Sequence, residues 1–170
     1  MRPTDNPDFT AGLPERFPVT VIMRGTPGSS RWAGENWDAV AVVVGERQAS
    51  AKEGQPERHG VRYRYYDGLE IRLFEDEVES YYHNMMSPKP GCYVIARLDE
   101  EMDNPVPEPF LVTLSFDQAN AYAESDDPVY AVEIPAELYR WGEAFVLQHY
   151  APEKKRKRKL HNWKQDGTAR

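Results

Sequence analysis

The chain has 170 residues, of which 40% are hydrophobic and 12% aromatic. That is enough for one domain with a real core, and too apolar for a disordered chain. The net charge of −7 is unevenly divided: residues 153–170 hold eight Lys or Arg and two acids, or +6, whereas the other 152 residues hold 13 bases and 26 acids, or −13.

Taken in chain order, residues 1–16 are rich in Pro, Asp and Gly and read as a loose arm without the apolar run of a secretory signal. "FPVTVIM", 17–23, predicts a first strand, and "WDAVAVVVGE", 37–46, a second whose unbroken apolar run implies burial on both faces. Residues 47–60 are polar, with Gly and Pro, and predict a mobile loop. "VRYRYYDGLEIRLF", 61–74, alternates on either side of Asp67-Gly68. This predicts a β-hairpin with a type I′ turn, with the arginines and Glu70 on its solvent face.

"EDEVESYYHNMM", 75–86, places Val78, Tyr81, Tyr82 and Met85 at helical spacing behind an acidic first turn. Strands follow at 92–99 and 110–115, separated by an acidic, proline-rich loop. Ser115 and Gln118 form a capping-box pattern that opens a helix over "FDQANAYAE". "VYAVEI", 129–134, is the last strand; Pro135 then starts a helix over 136–150 with Leu138, Trp141, Phe145 and His149 on one face. The expected class is α+β: a mainly antiparallel sheet or open barrel of about seven strands, with about three helices and the C-terminal helix packed on the sheet. One domain, 17–152, would lie between the arm and a basic disordered tail, 153–170.

"MRGTPGSSRWAGENW", 23–37, has the outline of a phosphate-cradling loop. The chemistry fails it. Such a loop aims successive backbone N–H groups at phosphate from a helix N-terminus, aided by a lysine. Here Pro27 has no N–H, Asn36-Trp37 stands where Asp-Lys would, and a strand follows instead of a helix. The segment reads as a strand-connecting loop. Its Trp32 and Trp37 either fold onto the core or, with Arg31, form part of a contact surface, since Trp and Arg are enriched at binding hot spots.

No other pattern points to a catalytic, metal or cofactor site. The four histidines lack ligand spacing, and the acidic runs lack the glycine and spacing of a calcium loop. The single cysteine, Cys92, lies in a strand-like run and reads as a buried small hydrophobe. No stretch approaches the ~20 apolar residues that span a bilayer, so the expected place is the cytoplasm. The strongest interaction signal is the tail run of Lys154, Lys155, Arg156, Lys157, Arg158 and Lys159. It suits an acidic protein or nucleic acid, and without an apolar face it predicts no membrane insertion.

The blocks 17–43, 63–100 and 108–159 resemble domain-of-unknown-function family 3305. The resemblance rests on Phe17, Pro18, Met23, Arg31, Trp32, Trp37, Pro109, Phe110, Ser115, Asp117, Ala119, His149, Tyr150 and Pro152, with Gln118 where Glu is common. Genes of that family typically lie beside those of molybdenum- or tungsten-containing formate dehydrogenase. The resemblance therefore implies a non-enzymatic accessory protein whose partner is a formate dehydrogenase subunit or maturation factor. The alternatives are a nucleic-acid-binding regulator acting through the tail, and an enzyme handling molybdopterin or nucleotide.

Overall fold

The computed structural model of the chain describes residues 12–30, 32–46 and 58–152. Among these residues six strands form two three-stranded antiparallel sheets. The first, in the order β2-β1-β3, contains β1 (Arg16–Thr26), β2 (Asn36–Val44) and β3 (Arg62–Arg72). The second, in the order β5-β4-β6, contains β4 (Gly91–Arg97), β5 (Glu108–Thr113) and β6 (Val129–Glu133). Three α-helices among the described residues complete the α+β fold: α1 (Val78–Met85), α2 (Phe116–Glu124) and α3 (Ala136–His149).

The expected seven strands become six because 61–74 is not a hairpin. β3 pairs with β1 along its whole length, from Gly25↔Arg62 to Arg16↔Arg72. Asp67 and Gly68 together oppose the single residue Thr20, between the pairs Val21↔Tyr66 and Val19↔Leu69. This is a β-bulge, and Gly68 takes the left-handed backbone it needs, at φ 79°. The Thr20 hydroxyl lies 2.5 Å from Asp67 Oδ1 and 2.9 Å from Gly45 O, so the bulge is tied to the end of β2.

The bulge inverts the side-chain parity of β3. Residues directly opposite one another in a ladder share a face, so Val19, Val21 and Met23 of β1 share theirs with Leu69, Tyr66 and Arg64 of β3. Arg62, Arg64 and Tyr66 thus lie on the inner side of the sheet, and Tyr63 and Tyr65 on the outer, opposite to the hairpin expectation. A second register shift leaves Val40 unpaired in β2. The apolar run there does not mean burial on both faces: Ala39 and Val42 are buried, and Val43 is exposed.

Val19, Val21, Met23 and Ile71 meet Cys92, Val94, Val112, Leu114 and Val132 in one core between the sheets. β3 runs beside β5, and β2 beside β6, without a ladder at either seam, so the sheets do not close into a barrel. The helical spacing expected over 75–86 appears as a 3₁₀ turn, Glu75–Glu77, followed by α1, which buries Tyr81 and Met85. α3 buries Leu138, Trp141 and Val146 and helps close the core, but it lies chiefly against α1 and not on the sheet as expected. α2 covers the far side of the second sheet, where Ile95 and Ala119 are buried. Its N-cap is Ser115, whose hydroxyl accepts from Gln118 N–H at 3.1 Å.

Candidate functional site

The two ends of the sheet pair differ. At one end α1 and α3 fill the space: Phe17 packs edge-on against Trp141 at 4.8 Å, and Trp141 Nε1–H donates to Pro14 O at 2.7 Å. At the other end no described α-helix intervenes, and the inner face of the first sheet turns polar along its own strands. Met23 of β1 gives way to Gly25, Ala39 of β2 to Trp37, and Tyr66 of β3 to Arg64 and Arg62. Arg62 and Arg64, with the β1–β2 and β4–β5 loops, form an open mouth of about 570 Å³, lined also by Ser30, Glu35, Asn104 and Val106 among others. The ends of β-barrels are a common place for binding sites, and this half-open relative offers the same position.

Gly25 organises the mouth. It sits on the central strand, with Trp37 opposite on one side and Arg62 on the other. A Cβ there would lie 2.7 Å from the Trp37 ring, so only glycine lets the indole lie across β1. The indole reaches Arg64, whose guanidinium carbon stands 5.3 Å from the ring centroid in a cation–π contact. Arg62 is committed elsewhere: its Nε lies 3.1 Å from Glu35 Oε1. Among the described residues no carboxylate pairs with Arg64.

The other loop glycines answer the phosphate question. A Cβ at Gly28 would collide with the Gly34 carbonyl, and one at Gly34 with the Asn104 amide. These glycines permit close packing of the loop on itself and on the β4–β5 loop. Pro27 contributes no N–H, and the chain runs on into β2. The geometry is that of a connecting loop, as the residues predicted.

Of the residues singled out beforehand, the structure separates the two tryptophans. Trp37 packs against the core. Trp32 does not, contrary to the packed alternative: it is 94% exposed. Ala33 N–H donates to Ser30 O at 3.0 Å, closing a tight turn that carries Trp32 at its tip. Arg31 and the tail residues Lys154, Lys155, Arg156, Lys157, Arg158 and Lys159 lie outside the described residues. Sequence reasoning missed Arg62, Arg64, Glu35 and Asn104. Only the pairing of β3 with β1 reveals that the two arginines face Trp37.

A second cavity, about 510 Å³, lies between α1, α2 and the start of β4, next to Ser80, His83, Asn84, Tyr93 and Phe116. Its buried polar groups are already engaged within the protein. The Asn84 amide donates to Gly91 O and Leu114 O, both at 2.8 Å, and its oxygen accepts from Gly91 N–H at 2.9 Å. Ser80 Oγ accepts from Asp117 N–H and touches Ser115 Oγ, each at 3.1 Å, and Ser115 donates to Glu77 at 2.6 Å. That network ties α1 to α2 and leaves little polar capacity for a ligand.

Cys92 is fully buried, and burial pushes its thiol up to about 12. The nucleophilic thiolate is therefore scarce at neutral pH. Iodoacetamide is expected to leave Cys92 unmodified in the native chain and to label it once denaturant is added, as read by intact-mass spectrometry. Among the described residues no group of His, Cys, Asp and Glu is placed to hold a metal ion, and no helix is long and apolar enough to cross a membrane.

No curated protein and no solved structure matches the chain. One family model does, described as protein of unknown function (DUF3305), over residues 18–159, a span that takes in α1, α2, α3, the mouth and both sheets but for the first two residues of β1. The chain belongs to the DUF3305 family.

Proposed function

We propose that this protein is a non-enzymatic accessory factor that docks on a protein partner through its open mouth and acts in the maturation, assembly or regulation of a molybdenum- or tungsten-containing formate dehydrogenase. The observation that carries the docking part is Trp32, 94% exposed at the tip of a hydrogen-bonded turn on the loop that walls the mouth. An indole displayed to solvent contributes nothing to the core, and burying one on a partner supplies large contact area at small entropic cost. The formate dehydrogenase part rests on the gene neighbourhood that the family resemblance implies.

The test is affinity capture of the tagged full chain from its native host grown on formate. A formate dehydrogenase subunit or maturation factor is expected among the captured proteins; its absence at low and moderate salt overturns the reading. Trp32→Ala is expected to weaken capture by about 2 kcal/mol. Because the side chain is exposed, the same variant should unfold within about 0.5 kcal/mol of the parent.

A further inference from the structure

We propose that the mouth is a receptor for a carboxylate, presented by an acidic peptide segment of the partner, with Arg64 as the recognising group. The inference rests on the docking reading above and names the chemistry that the partner brings.

A guanidinium is a flat fork. When one face lies on an aromatic ring, its in-plane N–H edges remain available, and those edges match a carboxylate bidentately. Arg64 stands over Trp37, its guanidinium carbon 5.3 Å from the ring centroid, without a carboxylate partner among the described residues. Arg62, one pair further along the same face, is already neutralised by Glu35. Among the described residues the mouth therefore offers one cation without a carboxylate partner, Arg64, set against an aromatic ring and not against another charge.

That arithmetic also sets the class of ligand. A nucleic-acid strand needs a run of cations along its backbone, and here Glu35 stands in the wall beside the arginines. The body outside the tail carries −13, which repels a polyanion. A single carboxylate flanked by apolar side chains fits better: the charge meets Arg64 on β3, and a neighbouring apolar residue meets Trp32 on the β1–β2 loop. Asn104 and Ser30 supply polar groups at the rim.

The test uses the full chain and three fluorescent probes: a short Glu- and Leu-containing peptide, its Gln-for-Glu counterpart, and an oligothymidylate of similar length. Anisotropy reports affinity, and the Trp37 indole N–H resonance reports whether the mouth is occupied, apart from any binding by the tail. The Glu peptide is expected to bind and to move that resonance, and the Gln peptide to do neither. R64Q should weaken Glu-peptide binding roughly tenfold, and R64K, which keeps the charge but loses the fork, should fall between. Thermal melts of both variants check that they remain folded. Equal affinity for R64Q and the parent, or an unmoved Trp37 resonance, overturns the proposal. So does Arg64-dependent binding of oligothymidylate tighter than that of the Glu peptide. Peptide recognition without capture of any formate dehydrogenase component leaves the receptor standing and removes the accessory reading; capture that R64Q does not weaken removes the receptor alone.

Discussion

Asn84→Leu is expected to destabilise the protein by about 3–5 kcal/mol, measured by chemical denaturation of the purified chain. The side chain is 3% exposed, and one amide serves three backbone groups: the N–H and C=O of Gly91 and the C=O of Leu114. It thereby joins α1 to the first residue of β4 and to the residue that follows β5. Leucine has the same branched skeleton with bulkier ends, so the substitution opens no cavity. What it removes is the only hydrogen-bonding that the side chain at this position gives those groups, and each buried group left unsatisfied costs about 1–3 kcal/mol. The terms are coupled and do not simply add. Against a typical domain stability of about 5–15 kcal/mol, the loss threatens folding itself. A change below about 1 kcal/mol would mean that water replaces the amide and would refute the account.

Asn84→Asp sharpens the test. A carboxylate can accept from Gly91 N–H, but it cannot donate to the two carbonyls 2.8 Å away. Only the protonated acid offers a donor, so the folded state raises the pKa of the new group above the ordinary value of about 3.9. A raised folded-state pKa gives stability that is fully present below the unfolded pKa and is lost as pH rises through the folded one. This variant should therefore melt closest to the parent near pH ~4 and fall behind it towards neutrality. A pH-independent gap would contradict the assignment of the two donors.

Much of the architecture was legible in local patterns. The spacing of Val78, Tyr81, Tyr82 and Met85, the Ser115 cap and the Pro135 start each depend on residues within a turn or two of one another, and each appears where it was expected. Asp67-Gly68 shows where that legibility ends. A hairpin turn and a bulge both ask for a glycine at positive φ within alternating residues, so the local signal is the same for the two. The choice is made by β1, more than 40 residues away in sequence, which pairs with both halves of β3. With two residues at the bulge, Arg62 and Arg64 share the face of Leu69 and Ile71 and not that of Glu70, and their pairing with β1 aims that face at the mouth. The same non-local pairing separates Trp37, opposite Gly25, from Trp32, which has no strand to lie across. Asn84 carried no sequence signal at all, because its partners are backbone groups that any residue could supply.

Gly25→Val tests whether the mouth is assembled from the centre of the sheet. By strand propensity alone the change is favourable by up to ~1 kcal/mol. Packing opposes it: the new Cβ would stand 2.7 Å from one atom of the Trp37 indole and 2.8 Å from another, and a rigid bicyclic ring cannot bend aside as a methionine would. Overpacking of this kind costs about 1–3 kcal/mol, so net destabilisation is expected in thermal or denaturant unfolding. The ring must leave β1, and Arg64 then loses the surface that holds its fork. Binding of the Glu-containing peptide should drop towards the R64Q level although Gly25 is buried and touches no ligand. Trp37→Leu in the same chain separates the causes. With the indole gone the clash disappears, so the double variant should be more stable than the sum of the single effects predicts, by about 0.5–3 kcal/mol of coupling, while peptide binding stays weak because Arg64 still lacks its ring. Additive stabilities would show that the two residues do not compete for the same space. Peptide affinity restored in the double variant would show that Arg64 needs no aromatic support.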